Sequence, residues 1–131
     1  MTVKRFFANK DNTITNAFKS NLRTRGTGSN QGASDILEVF SLYGQTLDAA
    51  TSSAELSRVL IQFPVSGTSA GEIKAARTDG TIPASGSVSF YLRLFNAKHS
   101  NTTPRSLTLN ITAISQSWSE GTGLDMDEYK D

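Results

Sequence analysis

His99 is the only histidine, and it sits in Lys98-His99-Ser100-Asn101-Thr102, a loop composition. A Ser-His-Asp site would draw all of its base chemistry from this one ring, and general acid–base catalysis needs a partner held in place. The chain has no cysteine and no second histidine to share a metal with it. The reading is a solvated loop histidine, and no catalytic residue is assigned. Gly26, Gly28 and Gly32 form Gly-x-Gly-x-x-x-Gly, one residue off the dinucleotide fingerprint. They lack the strand-to-helix context that seats a pyrophosphate, so no cofactor is expected there. Arg23 and Arg25 are suited to an anion, yet an exposed loop accounts for them as well. With Asn30 they are read as a loop that touches neighbouring subunits, because loops on a rigid scaffold carry function.

Two further groups have chemical potential. Asp125, Asp127 and Glu128 are hard oxygen donors of the kind calcium takes, but the Asp-x-Asp-x-Asp-Gly loop is missing. A solvated acidic end is the plainer reading, with calcium as the alternative. Trp118, the single tryptophan, follows the strongest core-like run in Ser117-Trp118-Ser119-Glu120-Gly121. It is either a sugar-stacking platform, with Tyr91 as a companion, or a cap packed over one end of the fold. A lone tryptophan is usually largely buried, which favours packing.

The bulk composition narrows the function classes. A net charge of +1 offers no basic surplus with which to neutralise phosphates, so nucleic acid is not an expected partner. Charged residues make up 19% of the chain, below what intrinsic disorder requires, and 131 residues suffice for one hydrophobic core. Without cysteine there are no disulfides and no thiolate nucleophile. Met1-Thr2-Val3-Lys4-Arg5-Phe6-Phe7-Ala8 resembles a signal peptide only until Asn9, Lys10, Asp11 and Asn12 interrupt it. No apolar run reaches bilayer length, so no membrane partner is expected, and the chain reads as made and folded in a cytoplasm.

The elements that would position these residues are mainly strands. Val88, Phe90, Leu92 and Leu94 alternate with Ser89, Tyr91 and Arg93, the period of a half-buried strand. Leu107, Leu109, Ile111 and Ala113 alternate in the same way with Ser106, Thr108, Asn110 and Thr112. The polar segment 96–104 would join these two runs as an open antiparallel hairpin, its aliphatic rows lining the core. Ile36–Tyr43 and Leu56–Phe63 read as central strands, the second ended by Pro64. Weaker strands are expected over Thr13–Phe18 and Val3–Phe7. Turn chemistry marks 26–32, 45–54 and 83–86. Ser69-Ala70-Gly71-Glu72 has capping-box spacing, which predicts one short helix over Ile73–Arg77, stopped by Gly80. The fold class is therefore all-β: an antiparallel two-sheet β-sandwich, jelly-roll-like, with at most one short helix, in a single domain over 1–131.

Four stretches in order resemble the DNRLRE-type family, β-sandwich domains similar to carbohydrate-binding modules. They are Asp35-Ile36-Leu37-Glu38-Val39, Arg58-Val59-Leu60-Ile61-Gln62-Phe63-Pro64-Val65, Ser87-Val88-Ser89-Phe90-Tyr91-Leu92-Arg93-Leu94 and Ile114-Ser115-Gln116-Ser117-Trp118-Ser119-Glu120-Gly121-Thr122. The hexapeptide that names the family is absent. Asp11–Phe18, Asn21–Gly28 and Gly80–Ser87 look more specifically like virion structural proteins of aquatic tailed bacteriophages.

The resemblance implies a non-catalytic virion protein, a capsid decoration or a tail or appendage component, assembled in the host cytoplasm. The alternative is a module that binds host or particle glycans. Its partners would be copies of itself, as a trimeric homo-oligomer, other virion proteins, and carbohydrate in the alternative. Loops 19–34 and 44–55 are expected at the subunit contacts. In the resembled family further strands follow the Trp118 turn, so the 131 residues are expected to be the first portion of a longer chain or to borrow strands from another.

Overall fold

The computed structural model describes residues 3–28, 30–43, 54–83, 86–100 and 106–124. By contacts the chain divides into two units, Met1–Ser89 with Glu120–Asp131, and Phe90–Ser119.

The first unit is built on three antiparallel strands and one helix. Strand β1 is Lys10–Thr15, β2 is Ser41–Tyr43, β3 is Ala54–Gln62, and helix α1 is Ile73–Thr78. The sheet order is β1-β3-β2, so β3 is central. Its run of Leu56, Val59, Leu60 and Ile61 suits a strand with neighbours on both edges. Lys10 lies opposite Gln62 and Thr15 opposite Ser57, while Ser41 to Tyr43 lie opposite Leu56 to Ala54. Pro64 lies just past the end of β3, where its missing N–H breaks no ladder bond.

Ile36–Tyr43 is expected as a whole strand, but only its last three residues pair. Before them the Phe40 carbonyl still accepts the Ser57 backbone N–H at 3.1 Å, but the N–H groups of Glu38 and Phe40 go to side chains. The Thr13 hydroxyl accepts the Glu38 N–H at 3.0 Å, and the Ser57 hydroxyl accepts the Phe40 N–H at 2.7 Å. Alternation puts Thr13, Thr15 and the opposing Ser57 and Val59 on one sheet face, so residues 38–40 run over that face. Thr13 is fully buried beneath them. The expected strand at Thr13–Phe18 begins earlier, at Lys10, and stops at Thr15, where the Thr15 hydroxyl turns back to accept the Ala17 N–H. A narrow hairpin follows. Phe18 bridges Arg25, the Lys19 N–H donates to Thr24 O, and the Asn21 carboxamide oxygen accepts the N–H groups of Arg23 and Thr24. Val3–Phe7 is not a strand.

The short helix starts at Ile73, where the capping-box spacing places it, with Glu72 rather than Ser69 as its N-cap. The Glu72 carboxylate reaches back to accept the Ser69 N–H at 3.1 Å, one half of the expected box. The other half is a backbone turn, Glu72 N–H to Ser69 O, so Glu72 itself is the N-cap and has no side-chain cap. Asp79 N–H to Ala75 O and Ile82 N–H to Ala76 O close the far end.

Among the described residues the buried apolar side chains are Ala17, Phe18, Ala76 and Ile82. They are not the core that alternation predicts. Phe90, Leu92, Leu94, Leu107, Leu109 and Ile111, all in the second unit, are 42% to 76% exposed. Neither 88–95 nor the described part of 105–115 belongs to a strand. Among the described residues no backbone hydrogen bond reaches 88–119. A period of two identifies which residues share a face, and says nothing of what lies against that face.

Candidate functional site

The best-organised polar cluster joins the start of β1 to two glycine-containing stretches, 30–33 and 120–123. The Asp11 N–H donates to Glu120 Oε1 at 2.9 Å, and Asn12 Nδ2 donates to Glu120 O at 2.7 Å. Asn12 Oδ1 accepts the Gln31 N–H at 2.9 Å. Asn30 Oδ1 accepts two N–H groups, from Gly123 at 2.9 Å and Gly32 at 3.2 Å, and Ala33 N–H donates to Gly123 O at 2.9 Å. Asn12 and Gln31 are 3% and 4% exposed. The bonds from Asp11 to Glu120 and from Gly123 to Asn30 close loops of about a hundred residues. They bind 120–123 to the outer edge of β1, which β3 leaves open on that side.

Glycine is required by the closeness of the two stretches. A Cβ on Gly32 would collide with the Glu120 carbonyl oxygen. Gly121 has φ 80°, a left-handed conformation, and a Cβ there would meet the Asn30 carboxamide. The cluster fastens 120–123 to β1, and the Glu120 carboxylate accepts the Asp11 N–H. The Gln31 side-chain oxygen is buried with no hydrogen-bond partner.

A second feature is an open cleft of about 530 Å³ lined by Lys4, Arg5, Phe6, Phe7, Glu72 and neighbouring backbone. Close by, the Thr81 hydroxyl and backbone N–H hold the Asp79 carboxyl below its ordinary range, with help from the charge of Lys4.

Arg25 stacks on Phe18 at 3.8 Å and donates to the carbonyls of Asn16 and Ala54 at 2.8 and 2.9 Å. Arg25 and Asn30 thus engage these groups inside the chain, while Arg23 is exposed on the hairpin tip. Tyr91 is 88% exposed and Trp118 is half-buried, and His99 is exposed. Asp125, Asp127 and Glu128 lie outside the described residues, as does most of loop 44–55. Among the described residues no group of three His, Cys, Asp or Glu side chains is placed to hold a metal, and no helix is long and apolar enough to cross a membrane. Sequence reasoning missed Asn12. The available signal was an asparagine inside a strand, where it is disfavoured unless its amide has a specific partner.

No family model, curated protein or solved structure matches this chain.

Proposed function

We propose that this chain is a bacteriophage virion structural protein, a capsid decoration or a tail or appendage component, and that it performs no catalysis. The observation that carries the reading is the exposure of two alternating apolar rows, Phe90–Leu92–Leu94 and Leu107–Leu109–Ile111. Large apolar side chains left exposed in this number favour a surface that another molecule covers, and an assembly protein meets its partners through such surfaces. The ordered resemblance of 35–39, 58–65, 87–94 and 114–122 to sandwich domains agrees with it. In this reading the runs 88–95 and 105–115 form the second sheet of a jelly-roll-like sandwich whose faces are covered on assembly. The partners are copies of the chain and other virion proteins, and the place of action is the particle. Mass spectrometry of purified particles from the source culture tests this. The reading requires the chain at a copy number matching a symmetric assembly, and its absence from particles refutes it.

A glycan-binding module is the second reading, and one observation favours it. Tyr91, Arg93 and Phe95 alternate along one run, Tyr91 and Phe95 are 88% and 78% exposed, and the Arg93 guanidinium lies 4.6 Å from the Phe95 ring centre. Exposed aromatic faces in a row are a platform on which sugar rings stack. A glycan array with the wild-type chain and Tyr91→Ala decides the matter: binding that vanishes in the variant supports this reading, and no binding to any glycan removes it.

A further inference from the structure

Residues 106–119, Ser106 through Ser119, contain no charged residue, no proline and no glycine. Natural proteins defend unpaired strands with lysine or proline among other devices, and neither residue is present here. Among the described residues no hydrogen bond of any kind reaches this stretch. Leu107, Leu109, Ile111 and Ile114 are 62%, 46%, 76% and 48% exposed. We propose that 106–115 is a pairing strand for a second copy of this chain, joining its counterpart antiparallel about a two-fold axis. The proposal rests on the assembly reading above and specifies the surface through which copies meet.

Three features favour a second copy as the occupant. Antiparallel pairing about a two-fold axis sets a segment against itself, so like charges would face each other near the centre. The polar row Ser106, Thr108, Asn110 and Thr112 carries none, and hydroxyl and amide pairs across strands are favourable. The run 88–95 is less suited to the same role, because Arg93 would approach its own copy. Beyond the polar row the contact is made by the main-chain hydrogen bonds of β-augmentation and by Leu107, Leu109 and Ile111 standing beside their cross-strand neighbours. A closed two-fold contact also uses up the edge it creates.

The test uses the full chain and residue 110, close to the middle of the strand. Asn110→Lys and Asn110→Glu each place a charge beside its own copy, whereas a mixture of the two variants places opposite charges side by side. Native mass spectrometry and light scattering should give twice the 14.1 kDa chain mass for the wild type. Each variant alone should dissociate at least tenfold more readily, and the equimolar mixture should recover the dimer. Amide exchange in β1 and β3, unchanged in both variants, shows that the fold is intact. A wild type that stays at one chain mass while the 106–115 amides are protected would mean that another part of the same chain covers this strand, and would overturn the proposal. A dimer indifferent to both charges, a three-chain mass, or variants that lose β1 and β3 protection while the mixture shows no recovery would overturn it too. Detection in particles is a separate readout, so the virion reading survives or fails independently.

Discussion

Replacing Asn12 by alanine tests whether the fastening of 120–123 to β1 holds the first unit together. Asn12 is 3% exposed and makes two bonds, donating to Glu120 O at 2.7 Å and accepting from Gln31 N–H at 2.9 Å. Alanine removes both and leaves a buried Gln31 N–H and a half-buried Glu120 carbonyl without a partner. An unsatisfied buried polar group costs about 1–3 kcal/mol, so the two together cost at most about 2–6 kcal/mol. Stability in a domain of this size is about 5–15 kcal/mol, and the loss is therefore a large fraction of the whole. At about 4 °C per kcal/mol the melting temperature should fall by about 8–24 °C. Asn12→Asp separates the two bonds, because it keeps an acceptor for Gln31 and sets a carboxylate against the Glu120 carbonyl. It should exchange the Glu120 side of the cluster faster than the Gln31 side. The assay is thermal unfolding by far-ultraviolet circular dichroism, with amide exchange read at Asp11, Gln31 and Gly123. An alanine variant that melts within about 2 °C of wild type, with those three amides unchanged, would refute the view that this cluster carries stability.

Gly32→Ala should destabilise by about 1–3 kcal/mol, because its Cβ meets the Glu120 backbone; denaturant unfolding with no shift in midpoint would contradict this. Arg25→Lys should cost about 1–3 kcal/mol, since an ammonium cannot reproduce the flat stack on Phe18 together with donation to two carbonyls; an unchanged melting temperature would show that the guanidinium is dispensable. The Asp79 carboxyl is held below its ordinary value of 3.8 by Thr81, so the contact is fully present above that pH and is lost as pH falls through the lower folded value. The Thr81 amide signal in NMR should therefore titrate with a midpoint below 3.8, and a midpoint at or above it would refute the contact. Trp118→Ala should lower the melting temperature, whereas Tyr91→Ala, which removes a ring that is 88% exposed, should shift stability by no more than about 0.5 kcal/mol; the opposite ranking would reverse the roles given to the two aromatics.

Some of the fold was legible in the sequence because it follows from local pattern. Leu56–Phe63 reads as a central strand from its apolar run and the closing Pro64, and β3 covers Ala54–Gln62 between two neighbours. Ser69–Glu72 announces a helix start, and the Glu72 carboxylate does reach back to Ser69. These features depend on residues a few positions apart, where spacing and torsional preference decide the outcome. The long contacts were not legible. Nothing in Asn12 or Glu120 taken singly shows that residues 108 positions apart exchange a hydrogen bond, and the glycines at 32 and 121 read as loop residues until the chain passes against them. Ile36–Phe40 has the composition of a strand, yet Glu38 and Phe40 give their N–H groups to the hydroxyls of Thr13 and Ser57. Alternation at 90–94 and 107–111 was plain in the sequence, while the exposure of both rows was decided by tertiary structure. A side chain's face follows from the backbone's period of two, but its burial depends on which other surface arrives, and that is settled by contacts the local sequence does not encode.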